Sequence, residues 1–411
     1  MGGKCIDTLK PRRIPELDAI RGVAAMVVVL FHCWNAWPWP DVSVLGGLPS
    51  GETSGFQAQW WALLFKVTPL RFITAGAPCV GIFFLLSGLV LSLPMVAGRS
   101  EPYWVFLTKR FFRLYPPFAA SILLAAVLCV AVDPHRISAL SAWFNGSWDQ
   151  PVSGQLLAGH LLMLGLDRDM HLNNVMWSLV HEVRISILFP LLVLATLGRP
   201  RLALAAAVAT LCLVSSHPVF TWMSARLATG ESLWPLATAL DTARYLTYFV
   251  VGILLAWKLD PLVRTFAARR ASTRVGLWTV AAALLLLHVG PFGDCAWVVG
   301  GALVILLSLS SSGAGRALRS RPLQWLGRVS YSLYLVHVPL LLLAMHAFYS
   351  ARSAAFVLLA VPFASLIAAE AFYRCIENPS HRLGRRILPD SRRGDGSAGA
   401  AAAVRSASPL R

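Results

Sequence analysis

Leu17-Asp18-Ala19-Ile20-Arg21-Gly22 opens an apolar run that continues to Phe31-His32-Cys33-Trp34 and ends at Trp37-Pro38-Trp39-Pro40. Residues 18–37 have about the 20-residue length an α-helix needs to cross the hydrocarbon core of a bilayer. Lys4, Lys10, Arg12 and Arg13 precede the run. It is too long for a signal-peptide core and lacks the small-residue cleavage site, so it predicts a retained first span. Ionisable side chains are costly in hydrocarbon and mark function, and this span holds two, Arg21 and His32. Eleven steps of 100° place them about 20° apart on one helix face and about 16 Å apart along the axis. Alone, Arg21 reads as a side chain snorkelling to the headgroups and His32 as an interface residue. The shared face favours a common role.

The whole chain follows the same pattern. Of 411 residues, 57% are hydrophobic and only 13% charged, about half the charge of a soluble domain. The mean hydropathy is +0.64. These values exclude a disordered chain and argue against a water-soluble enzyme. Nine further apolar segments follow, at 77–96, 114–132, 175–197, 201–216, 241–257, 275–290, 296–312, 329–349 and 354–375. The expected fold is therefore an all-α integral membrane bundle of about ten transmembrane helices. Segments 60–75 and 156–166 read as interfacial or re-entrant. Lys66 and Arg71 interrupt the former, and Gly76-Ala77-Pro78 breaks the helix after it.

Charge orients this arrangement. With both termini cytoplasmic, 27 of the 36 Lys and Arg lie in cytoplasmic segments, 7 lie outside, and Arg21 and Arg184 fall within spans. That is the positive-inside pattern. The net charge of +17 then reports topology, and no nucleic-acid partner is expected. Trp34, Trp37, Trp39, Trp60 and Trp61 form an aromatic belt at the outer interface. Residues 389–411, rich in Gly, Ala, Ser and Arg, read as a disordered cytoplasmic tail. The seven cysteines show neither CxxC pairs nor Cys/His ligand spacing, so neither a disulfide framework nor a metal site is expected.

Two further stretches carry chemistry. In Phe106-Leu107-Thr108-Lys109-Arg110-Phe111-Phe112-Arg113, Arg110 and Arg113 share a helix face at the cytoplasmic mouth of the third span. Planar guanidinium forks suit phosphate, although positive-inside anchoring explains any single arginine. In Trp177-Ser178-Leu179-Val180-His181-Glu182-Val183-Arg184, His181 and Glu182 suit an acid–base pair or a structural ion network. Glu182 should face the bundle interior. Asp241 and Arg244 read as an interfacial ion pair, and Glu370 needs a partner inside the bundle. His135, His160, His171, His217 and His381 read as loop or interface residues, and His288 and His346 as span-end residues.

With these motifs in order, the sequence resembles acyltransferase family 3, multi-span membrane proteins that O-acylate surface polysaccharides, lipopolysaccharide, peptidoglycan and some secondary metabolites. The likeness covers about 14–388. It rests on Arg21 and His32 (Arg, ten residues, His), on Arg110 and Arg113 (Arg-x-x-Arg), and on Trp177, Ser178, Leu179 and Glu182. Phe83, Phe84, Ser87 and Gly88 match the second-span motif. The segment Ser330-Tyr331-Ser332-Leu333-Tyr334-Leu335-Val336-His337 looks like the family's late span, and Glu377-Asn378-Pro379 like its closing Glu-x-Pro. Val183 and Arg184 stand where many members carry an acidic residue and a Gln or His, so only Glu182 is carried over from that motif.

The resemblance implies a membrane acyltransferase domain over 1–388, of the stand-alone type without a fused extracytoplasmic domain, in a bacterial cytoplasmic (inner) membrane. It implies acyl-CoA, most often acetyl-CoA, as donor substrate with no bound cofactor. The acceptor is a carbohydrate hydroxyl, free or lipid-linked. Arg21, Arg110 and Arg113 would hold the CoA phosphates. His32 would act as general base or as first acceptor of the acyl group, with Glu182 fixing its tautomer or binding the acceptor. Trp177, Ser178, Ser87, Tyr331 and His337 are candidate acceptor or oxyanion contacts. The outer loop 38–59 and segment 217–240 would shape acceptor choice. The competing reading is a multi-span transporter of an acyl or sugar compound, against which stands the lack of paired broken helices.

Overall fold

The computed structural model describes residues 14–37, 68–99, 101–163, 171–214, 234–286, 293–350 and 352–387. Among the described residues every regular element is helical. Ten apolar helices follow one another: α1 (Pro15–Ala36), α2 (Gly76–Val96), α3 (Tyr103–Val132), α4 (Met176–Gly198), α5 (Pro200–Val214), α6 (Trp234–Trp257), α7 (Ala271–Leu286), α8 (Gly293–Ser310), α9 (Arg321–Phe348) and α10 (Ala354–Phe372). Eight are long and apolar enough to cross a membrane. The other two, α5 and α7, have 15 and 16 described residues. They stand where the fifth and seventh spans were expected. The chain is an all-α integral membrane protein.

Local chemistry explains the boundaries. α1 starts at Pro15, whose fixed φ suits the first helical position, with Glu16 and Asp18 in the first turn facing the positive end of the helix dipole. α3 begins at Tyr103, eleven residues before the expected start of the third span. A hydropathy window stops at charge, yet here the charged turn carrying Arg110 stays helical because its guanidinium is bonded inside the bundle. α10 runs through a π-turn, Tyr373–Glu377, into a final amphipathic helix, Asn378–Ile387. The expected interfacial segments contain a 3₁₀ turn, Pro69–Thr74, and a short helix, Gly154–Leu162, that Ser153 caps. The loop 38–59, most of 217–240, Trp39, Trp60, Trp61, His217, His288 and the tail 389–411 lie outside the described residues.

Two close crossings fix the bundle. α1 meets α9 at Gly22 and Gly327. A Cβ on Gly22 would sit 2.5 Å from the Gly327 nitrogen, and one on Gly327 would sit 2.4 Å from the Asp18 carbonyl oxygen. α2 meets α6 at Gly88 and Gly252, where a Cβ would come within 2.5 Å of the Phe249 oxygen and 2.4 Å of the Leu85 oxygen respectively. Small residues permit such approach, and close packing holds helices together where lipid supplies no hydrophobic drive. Phe118, Phe144, Phe189, Tyr248 and Phe249 are among the largest fully buried side chains.

Candidate active site

The arginines come together. Arg21 of α1, Arg110 and Arg113 of α3, and Glu182 and Ser178 of α4 line one cavity of about 450 Å³. Ser87 of α2, Tyr331 and Tyr334 of α9, and Glu377 of the π-turn complete its wall. The Arg110 side chain is almost wholly buried. Its Nη2 donates to Glu182 Oε1 at 2.7 Å and to Ser186 Oγ at 2.9 Å. Ser87 donates to the same carboxylate oxygen at 3.3 Å. Arg21 donates through Nε to Ser330 Oγ (3.1 Å) and through Nη2 to Asp18 (2.9 Å). Glu377 accepts the Ser332 backbone N–H at 3.1 Å and the Ser332 hydroxyl.

Reading the chain for charged residues inside spans misses several residues of this wall. Arg328, Arg385, His381 and Tyr373 line the same cavity with Arg113. The first two had counted only as cytoplasmic anchors and His381 as an interface residue. Five arginines face three carboxylates (Asp18, Glu182 and Glu377), so the wall carries a net charge of +2. Such a wall suits a ligand with several phosphates. Arg328 also meets Glu370, which accepts from Trp325 Nε1 at 2.8 Å and from Arg374 at 2.6 Å. These are the partners Glu370 required.

His32 and His337 form a second feature. Both are buried, and His32 Nδ1 lies 2.9 Å from His337 Nε2. His337 Nδ1 is 3.0 Å from the Leu333 carbonyl, which can only accept. With both rings neutral, His337 therefore carries its proton on Nδ1 and accepts at Nε2. His32 donates from Nδ1, and its own lone pair is left on Nε2. Trp143 stacks on the His32 ring, with centroids 5.2 Å apart and planes at 19°. Of the two roles expected of Glu182, contact with the His32 ring is taken by His337. Glu182 pairs with Arg110 in the cavity.

A thin partition separates the two features. Tyr334 shares a hydrogen bond of 2.7 Å with Ser178, and Phe83 meets its ring edge-on. All three line the inner end of the cavity. Tyr334 also touches His337, one helical turn further along α9, with centroids 5.9 Å apart. Tyr331 is tied to the Leu114 carbonyl at 2.7 Å. Trp177 points to Tyr245 of α6, with centroids 5.5 Å apart, and is not among the cavity residues. Among the described residues no group of three metal-ligating side chains occurs.

The family profile described as acyltransferase domain matches residues 14–371. The chain belongs to acyltransferase family 3. This acyltransferase is 27% identical over 400 residues to acyltransferase MdmB of Streptomyces mycarofaciens, covering 91% of this chain and 93% of that one. It is 26% identical over 388 residues to O-acetyltransferase PaAT-1 of Phomopsis amygdali, covering 80% and 73% of the two chains. It is also 22% identical over 403 residues to O-acetyltransferase OatA of Staphylococcus aureus strain NCTC 8325, covering 91% of this chain and 58% of OatA. No solved structure matches it. The protein is therefore an enzyme, a multi-pass membrane acyltransferase.

Proposed function

We propose that this enzyme transfers acetyl from cytoplasmic acetyl-CoA to a hydroxyl of a carbohydrate acceptor, with His32 as general base. The observation that carries the reading is the 2.9 Å contact between His32 Nδ1 and His337 Nε2, which turns the lone pair of a neutral His32 onto Nε2 about one turn beyond an arginine-lined cavity. Arg21, Arg110, Arg113, Arg328 and Arg385 would hold the phosphates of the donor, with Glu182 locking the buried Arg110 in place. The span from Arg21 to His32, about 16 Å along α1, matches an extended pantetheine arm. The positive mouth of the cavity then faces the cytoplasm, both termini are cytoplasmic, and the His32 end faces outward. This agrees with the excess of Lys and Arg. The names of the relatives PaAT-1 and OatA support acetyl as the group moved.

In the reaction, His32 Nε2 takes the proton of the acceptor hydroxyl as its oxygen attacks the thioester carbonyl. The C–S bond breaks and the thiolate of CoA recovers that proton. Thermal stabilisation by acetyl-CoA tests the donor site, and transfer of labelled acetyl tests the base. His32→Ala should keep the stabilisation and lose roughly 10²- to 10⁴-fold in transfer. The Arg110→Ala, Arg113→Ala double variant should lose the stabilisation. A folded wild-type protein that acetyl-CoA does not stabilise would turn attention to transport.

A further inference from the structure

Leu17 and Arg21 line the arginine-rich cavity, but another side of α1 borders a second, apolar space. This groove of about 330 Å³ is lined by Ile20 and Val23 of α1, Trp278 and Leu285 of α7 and Val304 of α8. Ala317 and Leu318, from the short helix Ser312–Leu318, line it at the end where α1 begins. Arg319 fixes that helix to the start of α1, its Nη2 pairing with Glu16 at 2.6 Å. Among the described residues no side chain in the lining is charged, and Ser308 alone carries a hydroxyl.

Length and charge decide the occupant. On α7, Arg274, Trp278 and Leu285 lie within about 40° of one another around the helix. From Arg274 to Leu285 the helix rises about 16 Å, close to one leaflet of a hydrocarbon core about 30 Å thick. The groove therefore has the depth of a single acyl chain. Left empty, its walls would lose the dispersion contacts that such a chain supplies. Val23, 40% exposed, stands where a chain can enter from the lipid. At the other end of the stripe the chemistry changes. Arg274 is half-buried and donates through Nη1 to the Ala267 carbonyl at 3.2 Å. Arg316 is exposed and adjoins Ala317 of the lining. Among the described residues neither arginine forms an ion pair. Arg269 and Arg270 precede Arg274 and add to the positive charge at this end.

We propose that this groove holds one acyl chain of an anionic phospholipid, with the lipid phosphate at Arg274 and Arg316, in the leaflet at the end where α1 begins. A guanidinium fork suits phosphate oxygens. Basic recesses between membrane helices hold anionic headgroups for the same reason. A zwitterionic headgroup brings a cation of its own next to the phosphate and would set it against the arginines. The site therefore prefers phosphatidylglycerol to phosphatidylcholine, and the tail gives it a hold that a free phosphate lacks.

The test presents the full-length protein in detergent with equal amounts of phosphatidylglycerol and phosphatidylcholine and counts retained lipid by native mass spectrometry. The wild type should keep one phosphatidylglycerol per chain, favoured at least about tenfold over phosphatidylcholine. Arg274→Gln and Arg316→Gln should each cut that preference about fivefold. Ala317→Trp fills the groove and should abolish retention of both lipids. Glycerol 3-phosphate, a head without a tail, should not displace the retained lipid. Elution from size exclusion as for the wild type identifies a folded variant, and Val23→Trp replaces Ala317→Trp should the latter misfold. Equal retention of the two lipids, displacement by glycerol 3-phosphate, or unchanged retention in a folded arginine or tryptophan variant would each overturn the proposal. So would a lipid-free dimer, which would give the groove to a second copy of the chain.

Discussion

Replacing His337 by phenylalanine keeps a ring in the core but removes the nitrogen that holds the proton of His32. In the neutral pair that the hydrogen bonds favour, that proton lies on His32 Nδ1, 2.9 Å from His337 Nε2, with both rings buried. Leaving a buried donor unpaired costs about 1–3 kcal/mol. That is the preference for the reactive tautomer, and at about 1.4 kcal/mol per factor of ten it corresponds to roughly a 5- to 150-fold loss in kcat. His32→Ala removes the base altogether and should cost roughly 10²- to 10⁴-fold. Glutamine at 337 offers an amide oxygen near the position of Nε2, so His337→Gln should stay within a few fold of wild type. The assay is kcat for acetyl transfer at saturating donor, with thermal stabilisation by acetyl-CoA as the control, because the arginines are untouched. Wild-type kcat in a folded His337→Phe variant would refute the tautomer argument. So would a loss in His337→Gln as deep as that of His32→Ala.

Other outcomes follow from the same geometry. Glu182→Ala leaves the buried Arg110 guanidinium with Ser186 as its remaining partner and should destabilise the protein by about 3–5 kcal/mol. Adding Arg110→Met should return much of that stability, which a double-mutant cycle on thermal unfolding would measure. Gly88→Val drives side-chain carbons into the Phe249 backbone and should cost about 1–3 kcal/mol or prevent assembly, read by thermal unfolding. Tyr334→Phe breaks the bond to Ser178 that closes the inner end of the cavity. At about 1 kcal/mol for that bond, acceptor-independent hydrolysis of acetyl-CoA should rise about fivefold, with donor stabilisation kept.

What could be read from the sequence was periodic or local. The shared face of Arg21 and His32 follows from 3.6 residues per turn, and the order of ten apolar helices follows from hydropathy. The gathering of Arg21, Arg110, Arg113 and Glu182 around one cavity agrees with charges that cannot face lipid. Pairings between distant segments were not legible. His337 lies 305 residues from His32, and nothing in either neighbourhood announces the bond. Without it, Glu182 was the available partner for the imidazole. Arg328 and Arg385 were hidden for a different reason: an arginine at a cytoplasmic span end satisfies the positive-inside rule whether or not it also lines a cavity. Asp241 and Arg244, at i and i+3, invited a local ion pair, but the Arg244 side chain reaches Asp294 on a neighbouring helix.

The crossing of α1 and α9 brings their backbones together at one end of a shared stretch. Gly22 lies ten residues before His32, and Gly327 lies ten residues before His337. The two helices therefore run parallel from a backbone contact to a hydrogen bond about 15 Å further on. Over that arm, a change of about 4° in the angle between them moves the imidazoles apart by about 1 Å, enough to separate Nδ1 from Nε2. Helices adjust their tilt to the thickness of the bilayer around them. With His32 as the proposed base, the reach of its proton follows the length of the surrounding lipid tails, and the same enzyme should turn over at different rates in thin and thick membranes without any change in the residues that touch its substrates.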